Sequence, residues 1–217
     1  MKVRAALRLL RTLGGGVLAG AGLPAPAEDP IAAFQRWLRD AEASGILLPE
    51  AMSLATATPQ GAPSSRMLLL KAADESGFLF YTNYASRKAA ELDANPRAAL
   101  LFHWAALQRQ VRIEGRVVRL TPAEVEAYFR TRPRGSRIGA WASRQSAPLD
   151  SRETLEERVR AAERRFGEGE VPCPPFWGGY RLVPDRLEFW QGRTARLHDR
   201  LAFQREGPRW RSERLYP

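Results

Sequence analysis

The sequence predicts an α+β fold: a mostly antiparallel sheet, closed into a full or split barrel, with helices on its periphery. Three observations carry this reading. Apolar runs of strand length recur, about eight in all, joined by turns too short for parallel crossovers. The helical stretches are amphipathic and carry their own caps, so they insert between strands. No internal repeat, Walker loop, dinucleotide glycine motif or zinc signature competes with that pattern.

Asp29-Pro30 opens the first helix, with aspartate as cap, proline in the first turn and Ile31, Phe34, Trp37, Leu38 and Ala41 as the apolar stripe. Strands follow over Ala51 to Thr58, Ser64 to Lys71 and Gly77 to Thr82, separated by the Pro59-Gln-Gly61 and Asp74-Glu-Ser-Gly77 turns. Ser86 is placed to cap a short helix from Arg87 to about Ala94, which Asn95-Pro96 stops. Arg97 to Trp104 and Arg109 to Leu120 are strands, the second with clear alternation of Val111, Ile113 and Val117 against Arg112, Glu114 and Arg116. His103, inside an apolar run, reads as a structural histidine. Thr121-Pro-Ala-Glu124 is a capping box for a helix carrying Val125, Tyr128 and Phe129. Further helices are expected over Arg137 to Ser143 and Ser151 to Phe166, then a linker from Gly167 to Pro175. Gly178 to Leu182, Leu187 to Gln191, Arg200 to Arg205 and Arg209 to Leu215 complete the strands.

A chain of 217 residues suits one large domain. Hydrophobic content of 44% with six tryptophans is enough for a core, and the net charge of +10 asks for an anionic partner. Most of that charge is an arginine bias, since only Lys2, Lys71 and Lys88 are lysines. Cys173, the single cysteine, excludes an internal disulfide and a cysteine-rich metal site, and it lies in a proline-rich connector away from any histidine. A reducing, cytoplasmic setting fits. Residues 1–28 have the outline of a signal peptide, but the apolar part is glycine-rich, interrupted and too short to span a bilayer. They are expected to form a flexible tail ahead of a single domain over 29–217, with export as the alternative.

Two cationic stretches stand out as candidate sites. Arg87 and Lys88 fall in the first turn of a helix, where cations oppose the dipole unless an anion sits between them. The second stretch, Trp190 to Arg200, follows an apolar strand. If it is extended, Arg196, His198 and Arg200 project to one face and offer three donors to an anionic ligand. Tyr128 and Arg132 are four apart and share a face if their helix continues.

Ten motifs then stand in order: Arg66-Met-Leu-Leu-Leu-Lys71, Phe80-Tyr-Thr-Asn83, Ser86-Arg-Lys88, Arg109-Gln110, Arg132-Pro133, Ile138-Gly-Ala-Trp141, Gln145-Ser146, Phe176-Trp-Gly-Gly179, Glu188-Phe-Trp-Gln-Gly192 and Arg196-Leu-His-Asp-Arg200. With the closing Arg214-Leu-Tyr-Pro217, they make the chain from about Asp29 onward closely resemble the pyridoxamine (pyridoxine) 5′-phosphate oxidase family. The resemblance implies a split-barrel flavin mononucleotide (FMN) enzyme, a homodimer with FMN at the interface. Its implied reaction oxidises pyridoxamine or pyridoxine 5′-phosphate to pyridoxal 5′-phosphate, with O2 as acceptor and H2O2 as product, in vitamin B6 cofactor synthesis and salvage. By the same resemblance, Arg66, Met67, Leu68, Leu69, Leu70, Lys71, Tyr81, Thr82, Arg87, Lys88, Gln110, Gln145, Ser146, Trp190 and Arg200 contact FMN. Lys71, Tyr128, Arg132, Ser136, Arg196 and His198 contact the substrate, with Arg196 and His198 over its ring as the catalytic pair. Neither metal, nucleic acid nor membrane is implied. The alternatives are a related split-barrel flavin reductase, or a protein that only binds pyridoxal phosphate or flavin. One departure concerns the N-terminus. Family members often carry a basic, tyrosine-containing segment before the first helix, where this chain has Ala-Gly-Leu-Pro-Ala-Pro-Ala27.

Overall fold

A computed structural model describes residues 22–217. Its first helix, α1 (Pro30–Ala43), begins as expected, with the Asp29 carboxylate accepting from the N–H groups of Ile31 and Ala32. Strands β1 (Ala51–Ala57) and β2 (Pro63–Leu69) form one hairpin, and β3 (Ala72–Asp74) and β4 (Gly77–Asn83) form a second. Helix α2 (Arg87–Ala94) separates them from β5 (Arg97–Trp104) and β6 (Arg109–Arg119). Three helices follow, α3 (Pro122–Thr131), α4 (Arg134–Ala142) and α5 (Arg152–Phe166), before β7 (Trp177–Gln191), β8 (Asp199–Glu206) and β9 (Arg209–Leu215). The expected Thr121–Glu124 capping box is formed at α3.

All the pairings are antiparallel, in the order β2-β1-β5-β6-β7-β4-β3, with β8 on β7 and β9 on β8. This is the curled sheet of a split barrel. Its hinge is β7. Along one edge it pairs with β6; along the other it pairs with β4 over 177–182 and then with β8 over 186–191. The two strands expected here, Gly178 to Leu182 and Leu187 to Gln191, are one continuous element that runs through Pro184. The proline is tolerated where β7 changes neighbour, because no ladder partner there needs its missing N–H. The register shifts at the same level, between Glu114 and Gly115. A Cβ on Gly115 would lie 2.1 Å from the Val183 carbonyl oxygen, so the strands approach this closely only at glycine.

Alternation on the strands and the stripe of α1 meet in one core. Phe34 and Trp37 are fully buried and meet Phe78, Phe102 and Phe189 edge to face at 4.9–5.2 Å. Truncating either to alanine costs roughly 3–5 kcal/mol. Smaller clusters lie under α3 (Leu120, Val125, Phe129, Trp177) and between α4 and α5 (Ile138, Ala162, Val171).

Several local expectations need correction. Strand β3 lies where no strand was expected, with only its last residue, Asp74, in the expected turn. Helix α4 starts three residues early, at Arg134. His103 is exposed, not a core histidine: strand alternation carries it to the open face. Of the tail expected over 1–28, residues 1–21 lie outside the described residues. Within the rest, Leu23 packs against the core, Pro24 is buried and Glu28 pairs with Arg36. The packed chain therefore reaches back at least to Leu23.

Candidate active site

The start of α2 gathers the first group of expected residues. Lys88 is buried, and its Nζ donates to Gln145 Oε1 (2.7 Å), Thr82 Oγ1 (3.2 Å) and Ser86 Oγ (3.2 Å). Ser86 occupies the N-cap position, but its hydroxyl makes no capping hydrogen bond, contrary to expectation. It serves Lys88 instead, so the first amides of α2 keep their capacity for an anion. Arg66 reaches in from β2, donating to the Leu54 carbonyl and to Thr56 Oγ1. Arg87 donates through Nε to Glu91 at 2.8 Å. Burial, then repulsion from Arg66, lowers the Lys88 pKa to about 8. Three cations thus face one carboxylate at an open helix start.

A second group lies on the other face of β4. Thr82 faces Lys88, and its neighbour Tyr81 stacks at 4.0 Å on Tyr128 and at 5.2 Å on Trp177. Burial and then the nearby Tyr128 push the Tyr81 hydroxyl up to about 12, so it remains a donor. Helix α3 ends at Thr131, so Tyr128 and Arg132 do not share a helical face. They converge nonetheless, because the Arg132 guanidinium lies 4.7 Å over the Trp177 ring. Arg132 Nη1 is buried without a hydrogen-bond partner among the described residues. Such a donor costs free energy unless something accepts from it. Ser136 is exposed in the first turn of α4.

The third group is the stretch after β7. The expected alternation of Arg196, His198 and Arg200 fails, because residues 194–196 form a 3-10 turn and β8 begins only at Asp199. Ala195 and Arg196 adopt left-handed φ angles of 54° and 61°. Arg196 is exposed. His198 leans on Trp190 at 4.5 Å, and its Nδ1 accepts from the Arg193 N–H. In the neutral ring the proton therefore sits on Nε2. An Arg193–Asp199 ion pair closes the loop. Gln110, Trp190 and Arg200 are direct cross-strand neighbours, and His103 and Leu215 extend the row. Glu188 fixes Arg200 from the same face.

The structure therefore brings Arg66, Thr82, Lys88 and Gln145 together, Tyr81 with Tyr128 and Arg132, and Gln110 with Trp190, Arg200 and His198. Within one chain it does not unite the last group with the second. Trp177 and Trp190 stand at opposite ends of β7, roughly 40 Å apart along an extended strand. Along Met67 to Lys71, Met67 and Lys71 are exposed, Leu68 and Leu69 half-buried, and Leu70 is in the core with its N–H donating to the Glu50 carbonyl. Ser146 is exposed, with a φ of 73°. The sequence reading missed Glu91, Glu188 and the stacking role of Trp177. Only an acid four residues after Arg87 could have signalled Glu91.

Fold and site define a split-barrel protein with two separate cationic seats. The chain matches the family model for pyridoxamine 5′-phosphate oxidase over residues 38–165 and that for the pyridoxine 5′-phosphate oxidase C-terminal dimerisation region over 177–217. It belongs to the pyridoxamine 5′-phosphate oxidase family. A pyridoxine/pyridoxamine 5′-phosphate oxidase of Psychromonas ingrahamii is 56% identical over 97% of each chain, and one of Rubrobacter xylanophilus is 61% identical over 87% of each. Among solved structures, PhzG from Burkholderia lata 383, in complex with tetrahydrophenazine-1-carboxylic acid, superposes with a TM-score of 0.83 at 35% identity, covering 88% of this chain and 94% of that one. A family-related FMN binding protein from Nostoc punctiforme has a TM-score of 0.71 at 17% identity, covering 88% and 99%, and shows the shared fold alone. Among the described residues no helix is long and apolar enough to cross a membrane.

Proposed function

We propose that this chain oxidises pyridoxamine and pyridoxine 5′-phosphates to pyridoxal 5′-phosphate, using FMN and passing the electrons to O2, in vitamin B6 cofactor synthesis and salvage. The observation that carries the reading is the pair of anion seats flanking β4, because cofactor and substrate would each bring a phosphate. The donor sets fit. Three cations, the Ser86 hydroxyl with its proton still to donate and open helix amides suit a phosphate at α2, and the unpartnered Arg132 Nη1 beside Tyr128 suits another.

Arg66, Arg87 and Lys88 would hold the cofactor phosphate, while Gln110, Gln145, Trp190 and Arg200 would bound the rest of it. Arg132, Tyr128, Ser136 and Lys71 would hold the substrate phosphate. When bound, the flavin would supply the two-electron chemistry: hydride from the substrate's 4′ carbon, with loss of a proton from its hydroxyl or amine, would leave the aldehyde or an imine that water hydrolyses with release of ammonia, and O2 would take up the electron pair and two protons as H2O2. The protein's part is positioning: Arg196 would press the pyridine ring into place, and His198 would offer its Nε2 proton to a ring substituent. The length of β7 separates these two residues from Arg132. A complete site would therefore combine Arg132 from one protomer with Arg196 and His198 from its partner, across a two-fold homodimer with FMN between them. Leu101 and Met67, 38% and 64% exposed on the open sheet face, support such an interface.

The likeness to PhzG favours a second reading, oxidation of a carboxylated ring without a phosphate. The Arg132 seat weighs against it, as does the higher identity to the pyridoxine/pyridoxamine phosphate oxidases. The test is anaerobic addition of pyridoxamine 5′-phosphate to the FMN-loaded protein. Bleaching of the flavin band with release of pyridoxal phosphate is expected. A band left unbleached by this substrate and by pyridoxine 5′-phosphate refutes the proposal.

A further inference from the structure

Glu91 sits where a phosphate-binding site has least use for it. It is a carboxylate in an anion seat, and only 6% of it is exposed. Four side chains from three elements nevertheless converge on it. Its Oε2 accepts from Thr56 of β1, from Ser64 of β2 at 2.6 Å and from Arg66 of β2 at 3.3 Å. Its Oε1 accepts from Arg87, one helical turn earlier, at 2.8 Å. Burial alone would raise the carboxyl's pKa; the hydrogen bonds from Ser64, Thr56 and Arg87 outweigh it and hold the group at about 2. The acid is therefore charged throughout the neutral range.

Its neighbours show what the charge does. Arg87 is 65% exposed, and among the described residues its one ion pair is with Glu91, the same carboxylate that Arg66 reaches. Lys88 is faced by Thr82 from β4, Ser86 and Glu91 from its own helix, Arg66 from β2 and Gln145 from the loop after α4. Of these, the charged groups are Arg66, which disfavours the ammonium, and Glu91, which favours it.

We propose that Glu91 is a positioning residue for the cofactor phosphate: it ties Arg66 and Arg87 to one side of the seat and supplies the counter-charge beside which Lys88 completes it. The inference rests on the reading of the α2 seat as the FMN phosphate site. Removing the carboxylate has two opposed effects. The seat gains one net positive charge, which attracts a phosphate. It also loses the orientation of two guanidinium groups and part of the charge on Lys88. The second effect wins, because phosphate recognition depends on directed, charge-assisted contacts, whereas an extra charge in an open seat is screened.

The experiment titrates wild-type, Glu91→Gln and Glu91→Asp apoproteins with FMN and with riboflavin, followed by flavin fluorescence between about pH 6 and 9.5. For Glu91→Gln, FMN affinity at neutral pH is expected to fall about 10-fold while riboflavin affinity stays within about two-fold. Wild-type affinity for FMN is expected to fall as pH rises through about 8, where Lys88 loses its proton. In Glu91→Gln that decline moves to lower pH, and in Lys88→Met it disappears. Glu91→Asp keeps the charge but shortens the reach, so its FMN-to-riboflavin preference should drop about three-fold, which serves if Glu91→Gln does not fold. An unchanged preference and an unmoved alkaline decline would overturn the inference, whatever happens to Tm. If the wild-type protein itself fails to distinguish FMN from riboflavin, the phosphate seat is misassigned, and the role of Glu91 falls with it.

Discussion

The start of α2 and the loop after β7 are both rich in arginine, and the fold treats them in opposite ways. At α2, Lys88 and Glu91 are buried, Lys88 donates to three side chains, and Arg66 and Arg87 both donate to Glu91. In the loop, Arg196 is exposed, and two non-glycine residues hold left-handed backbone angles, a conformation costing roughly 1 kcal/mol each. The first seat is preorganised by its own chain. In the second, Arg196 makes no side-chain hydrogen bond or ion pair among the described residues. That contrast fits the proposal that the site is divided between two protomers.

The largest expected effect tests the loop. Arg196→Leu should lower kcat/KM by about 30- to 1000-fold, or roughly 2–4 kcal/mol, at saturating FMN. FMN affinity should stay near wild-type. His198→Asn should act in the same direction but less, since an amide keeps a hydrogen-bonding group. Near-normal kcat/KM for Arg196→Leu would remove the loop from catalysis and erase the contrast. The reverse pattern is expected at α2. Arg87→Leu should weaken FMN binding by about 10- to 100-fold, the worth of one charge-assisted contact, with activity recovering in excess FMN. Activity lost irrecoverably would mean that α2 does more than seat a phosphate.

A smaller effect concerns acid. The Glu91 carboxyl has a folded pKa near 2, below its ordinary 4.5. Its stabilising contribution is therefore complete above about pH 4.5 and is lost as pH falls toward 2. Glu91→Gln apoprotein should lose less stability over that window than wild-type, as read by thermal melts across acidic pH. Parallel curves would show that the carboxylate is not held as described. The smallest effect is at the N-terminus. Deleting residues 1–28 removes the Leu23 contact and the Glu28–Arg36 pair. It should cost about 1 kcal/mol while leaving FMN binding intact. Loss of soluble protein would give that segment a larger part in folding.

Elements with clear periodicity and caps were legible in the sequence: α1 from Asp29-Pro30, α3 from its capping box, β6 from its alternation. Errors arose where tertiary context overrode a local signal. Two strands were expected either side of residues 183–186 because sequence does not reveal that β7 runs on and changes partners there. Ser86 looked like a cap because sequence does not show Lys88 folding back onto its hydroxyl. The loop after β7 looked extended because neither Ala195 nor Arg196 announces a positive φ as glycine would. His103 was hidden by the apolar neighbours on either side of it, although strand alternation alone would have turned it outward. The motifs named the cationic residues and included Glu188, but gave no role to Glu188 or Glu91, because the ion pairs of Glu188 with Arg112 and Arg200 and of Glu91 with Arg66 join residues distant along the chain.

The most direct test of the divided site is complementation. Arg132→Leu and Arg196→Leu chains, each carrying a different affinity tag, are coexpressed, and the mixed dimer is isolated through both tags. If the site takes Arg132 from one protomer and Arg196 from the other, the mixed dimer carries one site with both substitutions and one with neither. It should then show about half the wild-type turnover, while each parent homodimer remains nearly inactive. A mixed dimer no more active than its parents would place both residues in a site built by a single chain and contradict the account.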